Sequence, residues 1–174
     1  MILVGIGSNL AARGYASPQA TAVAALAALA APDLALIACS PWYESEPVPR
    51  SGQPWFVNAI VVVAAALAPE ALLERLQALE LRFGRERGAR NAARTLDLDL
   101  IDYDCRIVET ATLTLPHPRL HERRFVLAPL CDLAPGWRHP LLGVTAAELL
   151  AGLPAGQPVR NPAADRDRDG GDCG

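Results

Sequence analysis

Asp97 and Asp99 stand in the run Arg94-Thr95-Leu96-Asp97-Leu98-Asp99, directly after a stretch, Arg82 to Arg94, that holds five arginines and one glutamate. On a strand, alternation puts Asp97 and Asp99 on one face and Leu96, Leu98 and Leu100 on the other. Two such carboxylates lie roughly 6.5–7 Å apart at their Cβ atoms, and in an open cleft they repel each other. A pair of magnesium ions about 3.5–4 Å apart would satisfy both, because magnesium prefers a couple of carboxylates with water and phosphate oxygens filling the remaining positions. The neighbouring arginines carry planar forks that match phosphate geometry. An acidic pair beside a basic loop is what a nucleotide–metal phosphoryl-transfer site requires. Taken alone, Leu-Asp-Leu-Asp-Leu also reads as a half-buried antiparallel strand with a solvated outer face. The arginines and the motifs described below tip the balance towards a site.

At 174 residues the chain is most naturally one domain with a real core. Alanine inflates the 51% hydrophobic content, and no uninterrupted apolar stretch is long enough for a membrane span. The start, Met1 to Gly7, has no basic region before its apolar residues and reads as a strand, not a secretory signal. Cys39, Cys105, Cys131 and Cys173 are scattered, which suggests neither a zinc site nor a disulfide framework and fits a reducing cytoplasm. A net charge of −3 argues against general nucleic-acid affinity, although residues 82–94 by themselves carry five Arg less one Glu, or +4. All sixteen basic residues are arginine. Lysine chemistry is thereby excluded, and phosphate must be handled by arginine, backbone N–H groups and metal.

The elements that position these groups follow from hydrophobic period and punctuation. Residues 2–6 read as a buried strand ending in a Gly7-Ser8-Asn9 turn. Ser17 as N-cap and Pro18 at the first position open a helix running to Ala31. Residues 34–43 read as a strand, a Pro-rich loop follows, and Phe56–Ala65 is a third strand. Pro69 opens a second helix with Leu72, Leu73, Leu76, Leu79 and Phe83 at helical spacing, and Gly84 caps it. The Asp-bearing strand covers 95–103, with a short strand near 106–108. The order β-α-β-β-α-β predicts an α+β, ferredoxin-like sandwich, with short added C-terminal helices at 124–133 and 144–152. Residues 1–154 form the expected domain. Residues 155–174, rich in Gly, Pro, Asp and Arg, are expected to be a disordered tail.

Taken together the motifs resemble the 6-hydroxymethyl-7,8-dihydropterin pyrophosphokinases of folate biosynthesis. The matching pieces are Gly5 to Leu10, Ser40 to Tyr43, Gln53 to Ala59, Glu80 through Arg85, Arg94 to Leu100, Leu115 to Arg119 and Arg123 to Leu127. The resemblance spans roughly residues 2–142 and implies a ferredoxin-like fold that binds Mg-ATP, transfers the β,γ-pyrophosphate to the pterin hydroxymethyl group and releases AMP. It also implies a monomer acting on small molecules, with neither nucleic acid nor membrane as partner.

By that resemblance Asp97 and Asp99 hold two magnesium ions, and Arg85 and Arg94 act with them in catalysis. ATP is implied to contact Gln77, Glu80, Arg85, Arg87, Arg94, Leu100, Thr114, His117 and Arg123. Arg87 and Arg90 fall in a loop that closes over the nucleotide. The pterin is implied to lie between Phe56 and Phe125, with Asn58 bonding its amide-like edge and Ser45 and Val48 in the flanking loop. Where many members carry Arg-Trp-Gly-Pro, this chain has Arg90-Asn91-Ala92-Ala93, so another residue, or none, closes the pterin pocket.

Two alternatives remain at this stage. A nucleic-acid-binding module would need aromatic residues on an open sheet face, where Phe56 is the clearest candidate. A relative that binds ligand without catalysing is suggested by the missing tryptophan.

Overall fold

The computed structural model describes residues 1–85 and 92–169. Arg87, Arg90 and Cys173 lie outside the described residues. The centre of the sheet is β1 (Ile2–Ser8), buried at all but one position because packing covers both its faces. It pairs antiparallel with β4 (Phe56–Ala65) on one side and β5 (Asp97–Tyr103) on the other. β2 (Leu34–Cys39) and β3 (Tyr43–Ser45) lie end to end along the far edge of β4. β8 (Val159–Arg160) adds to β3, and β6 (Val108–Glu109) and β7 (Thr114–Leu115) form a separate hairpin. The architecture is a mixed α+β fold on an antiparallel sheet.

The single strand expected over 34–43 is broken in two. Pro41 has no N–H for the ladder, and Ser40 bridges the gap instead: its N–H donates to the Ile60 carbonyl and its Oγ accepts from the Ile60 N–H. α1 (Pro18–Leu29) begins as expected, with Ser17 Oγ accepting from Ala20 N, but stops short of Ala31. Ala31 precedes Pro32, a position that disfavours helix, and it bridges to Leu34 instead.

α1 and α2 (Pro69–Arg82) cover one face of the sheet, burying Val4, Ile6, Val61, Leu98 and Leu100 against Ala22, Leu26, Leu72, Leu76 and Leu79. On the other face, α3 (Arg124–Leu133) and α4 (Ala146–Gly152) pack on Leu3, Ile60 and Ile101 through Val126, Leu127, Leu130 and Ala146. A bulge opposite Leu3 and Val4 places Ile101 and Asp102 on this side in succession, and the buried Asp102 accepts from Trp137 Nε1. This second layer covers only part of its face. The uncovered part carries Asp97 and Asp99.

The largest departure from expectation is C-terminal. Residues 155–169 do not behave as a structureless tail: Val159–Arg160 extends the sheet and Pro162–Asp169 forms α5. Backbone pairing to β3 holds Val159 and Arg160 against the sheet.

Candidate active site

Alternation on β5 does what the sequence predicts. Leu96, Leu98 and Leu100 are buried under the helices, while Asp97 and Asp99 face a cavity of about 310 Å³ on the opposite side. Gly5 and Gly7 leave the cavity floor bare. A Cβ at residue 7 would stand 3.3 Å from Oδ1 of Asn58, so only glycine leaves that amide undisturbed. Asn58 Nδ2 donates to Ser45 Oγ at 3.0 Å. Ser45, Val48, Phe56, Asn58, Arg94, Arg123 and Phe125 all line this cavity, as does Ala92.

A second hollow of about 230 Å³ runs along the outer edge of β5 beside the end of α2. Gln77, Glu80, Arg85 and Leu98 line it, and Asp99 belongs to both hollows. Two expected residues stand apart. Thr114 is exposed on β7 and lines neither space. Leu100 sends its side chain into the core, so only its backbone on the free edge of β5 is available to a ligand.

Local motifs aim the arginines. At the end of α2, Gly84 has φ +78°, Arg85 N–H bonds the Glu80 carbonyl and Gly84 N–H bonds the Leu81 carbonyl. This reversal turns Arg85 back towards Glu80 and Asp97, and its NH1 stands 2.8 Å from Asp97 Oδ1. Arg94 is held at its backbone by the turn after β1: Asn9 Oδ1 accepts from Arg94 N at 2.7 Å, and Asn9 and Leu10 N–H groups donate to its carbonyl. Ser8 Oγ donates to the Thr95 carbonyl at 2.7 Å. The Gly-Ser-Asn turn therefore positions Arg94, a role its sequence did not disclose. Arg94 NH1 then reaches Asp97 Oδ2 at 2.7 Å, and Arg123 NH1 reaches Asp99 Oδ2 at 3.2 Å.

His117 lies 3.9 Å from Asp99 through Nε2. Burial pushes the imidazole below its usual range, opposed by Asp99 and assisted by Arg123 and Arg119. Its Nδ1 accepts from Arg119 N–H, so the neutral ring carries its hydrogen on Nε2, towards Asp99. The Asp97 carboxyl is pushed up, first by burial and then by Asp99, with Arg94 and Arg85 opposing. Arg119, Glu122 and Gln157 also line the cavity and escaped the sequence reading. Arg119 is the last residue of the recognised Leu115 to Arg119 piece but received no role there, whereas Gln157 lies in a segment with no signal at all.

Glu80 is buried against β5, where Oε1 accepts from Leu98 N at 2.7 Å. Its carboxyl is pushed up to about 7, chiefly by burial, with the Leu98 N–H and Arg85 opposing and Asp97 adding to the rise. A carboxyl raised from 4.5 in the folded state stabilises the fold when protonated, and that contribution is lost as pH rises through about 7. Glu80→Gln keeps an acceptor for Leu98 N–H without the charge. The ligand-free variant should therefore lose less urea stability than the parent between pH 4.5 and about 7. Parallel profiles in that window would contradict the assignment.

The carboxylates fit hard cations: two oxygen-donor side chains, partly open to solvent, on one face of a cavity rich in cationic groups. Among the described residues no group of three or more His, Cys, Asp or Glu could hold a metal unaided. The donor set thus suits cations that bring phosphate oxygens with them.

A family model described as 7,8-dihydro-6-hydroxymethylpterin-pyrophosphokinase (HPPK) matches residues 3–135. The chain belongs to this family. Among HPPK relatives, the 2-amino-4-hydroxy-6-hydroxymethyldihydropteridine pyrophosphokinase of Pseudomonas aeruginosa is 42% identical over 164 residues, covering 94% of this chain and 98% of the relative. The enzyme of the same name from Synechocystis is 44% identical over 124 residues, covering 68% of this chain and 63% of the relative. A crystal structure of wild-type Plasmodium falciparum HPPK-DHPS superposes with a TM-score of 0.65 at 13% identity, covering 86% of this chain and 42% of that one. At that identity the likeness concerns the fold. No helix among the described residues is long and apolar enough to cross a membrane.

Proposed function

We propose that this chain transfers the β,γ-pyrophosphoryl group of ATP to the hydroxymethyl oxygen of 6-hydroxymethyl-7,8-dihydropterin, releasing AMP, in folate biosynthesis. The observation that carries the reading is Asp99, shared between a ring-sized cavity and a hollow along a strand edge. A planar acceptor in the first and a nucleotide in the second would meet at the carboxylates.

The pterin lies between Phe56 and Phe125, with Asn58 against its amide-like edge and Ser45 and Val48 beside it. The nucleotide takes the edge of β5, using Gln77, Glu80 and the backbone of Leu100, while Arg85, Arg94 and Arg123 receive its phosphates. Arg87 belongs to the same reading, and Thr114 contributes only if the β6–β7 hairpin shifts. Arg85 and Arg94 pair with Asp97, and Arg123 pairs with Asp99. When nucleotide arrives they exchange carboxylate for phosphate, freeing both aspartates to hold two Mg²⁺. The ions, when bound, supply Lewis acidity at phosphate and at the acceptor alcohol. The chain itself aligns attacking and leaving oxygens and spreads positive charge over the group in flight. His117, with Nε2 3.9 Å from Asp99, belongs with the groups that meet the nucleotide.

The sheet order β5-β1-β4 with β2 and β3 beside β4, and with α1 and α2 on one face, supports a ferredoxin-like description. Cys39, Cys105 and Cys131 are unpaired thiols, compatible with a monomeric cytoplasmic protein. Nucleotide product analysis tests the function: Mg-ATP with the reduced pterin alcohol should yield AMP and pterin diphosphate. Formation of ADP, or no turnover, would refute it.

A further inference from the structure

The chain from Leu153 to Arg160 lies beyond the stretch that the family model matches. Its prolines and glycine offer no helix or strand pattern, yet it joins the two opposite walls of the ring cavity. At one wall, α3 begins at Arg124, and its N-cap residue Arg123 supplies no side-chain cap. Gln157 supplies one from a distance: its Oε1 accepts from Arg124 N at 2.9 Å, and its Nε2 donates to the Glu122 carbonyl at 2.8 Å. The Arg124 guanidinium also donates to the Leu153 carbonyl at 3.2 Å.

These bonds bracket the turn that presents Arg123 and Phe125. Arg123 stacks over the Phe125 ring at 5.5 Å and reaches Asp99 at 3.2 Å. At the opposite wall, Glu46 N–H donates to the Pro158 carbonyl, and Val159 and Arg160 pair with Ser45 and Glu44. Arg160 reaches the Glu44 carboxylate at 2.5 Å and stacks on Trp55 at 4.9 Å. Ser45, Glu46 and Val48 form that wall, and Gln157 itself lines the cavity between the two.

We propose that residues 153–160 act as a strap that sets the width of the slot for the planar acceptor, with Gln157 as its positioning residue. This rests on the pterin pyrophosphokinase reading above. The physical basis is that an uncapped helix start frays, and a frayed Arg124 would let Phe125 leave the ring. One side-chain amide satisfies both the orphan N–H of α3 and the carbonyl before it. The nucleotide hollow lies along β5 and meets the strap only through Arg123, whereas Phe125, Gln157 and Ser45 all line the ring cavity, so pterin binding should respond more strongly than nucleotide binding.

The test uses the full chain carrying Gln157→Ala or Gln157→Glu. Affinity for the reduced pterin alcohol is measured by calorimetry with a non-hydrolysable ATP analogue present, and affinity for the analogue is measured alone. Losing both amide bonds should weaken pterin binding about tenfold, with analogue affinity falling several-fold less. Gln157→Glu keeps the acceptor for Arg124 N–H and loses the donor, so it should fall between Ala and the parent. Pterin affinity within about twofold of the parent in Gln157→Ala would overturn the proposal, as would equal weakening of pterin and analogue. If the unaltered chain binds analogue but no pterin, the underlying functional reading falls, and the strap with it.

Discussion

Replacing Asp97 and Asp99 together with Asn should lower AMP formation by at least about 10³-fold, the scale of losing several kcal/mol of charge stabilisation. The fold should survive, with a melting temperature within about 4 °C of the parent. Asp97 already sits in surroundings that disfavour its charge, and asparagine still accepts hydrogen bonds from Arg94 and Arg123. Mn²⁺ titration in the presence of a non-hydrolysable ATP analogue should show the parent taking up cations that the variant does not. Asp97 and Asp99 are the two aspartates that β5 turns onto the cavity, so the double variant removes the paired oxygen donors together. Turnover within tenfold of the parent would remove the aspartates from the mechanism.

Arg94→Ala should cost almost as much, about 10³-fold in turnover, in keeping with arginines that face a transferring phosphoryl group. Arg94 is fixed at its backbone by Asn9 and at its guanidinium by Asp97, so its fork is aimed before substrate arrives. Arg94→Lys keeps the charge but loses the planar fork, and turnover should settle between Ala and the parent. The signature is a fall in kcat with a modest change in pterin KM. A variant that altered only KM would mean that Arg94 binds substrate without stabilising the transition state.

Much of the site was legible because β5 is short, alternating and punctuated. Period 2 alone requires that Asp97 and Asp99 share a face while three leucines enter the core, and the structure has this arrangement. The helix signals at Ser17-Pro18 and Pro69, and the glycine after Phe83, likewise act within a few residues of where they stand. Such local rules leave little for distant contacts to decide.

Other features depended on pairs far apart in the chain. Asn9 and Arg94 meet only because β1 and β5 are neighbours, so the Gly-Ser-Asn turn could not be read as the brace for a phosphate-facing arginine. Asp99 serves two hollows only because β5 is an edge strand beside the end of α2. Leu100 reads as part of a functional motif, yet its side chain belongs to the core. Pro41 divides a strand that composition alone ran together.

The amino-acid order by itself determined which residues could form an acidic, arginine-flanked face, because backbone alternation and capping operate over a few residues. Tertiary structure alone decided what that face looks onto. Its decisions include the bare glycine floor, the second hollow at the strand edge and the C-terminal segment closing the far wall. The last of these arises from hydrogen bonds between groups as distant as Gln157 and Glu122, or Arg160 and Glu44, which no short-range pattern encodes.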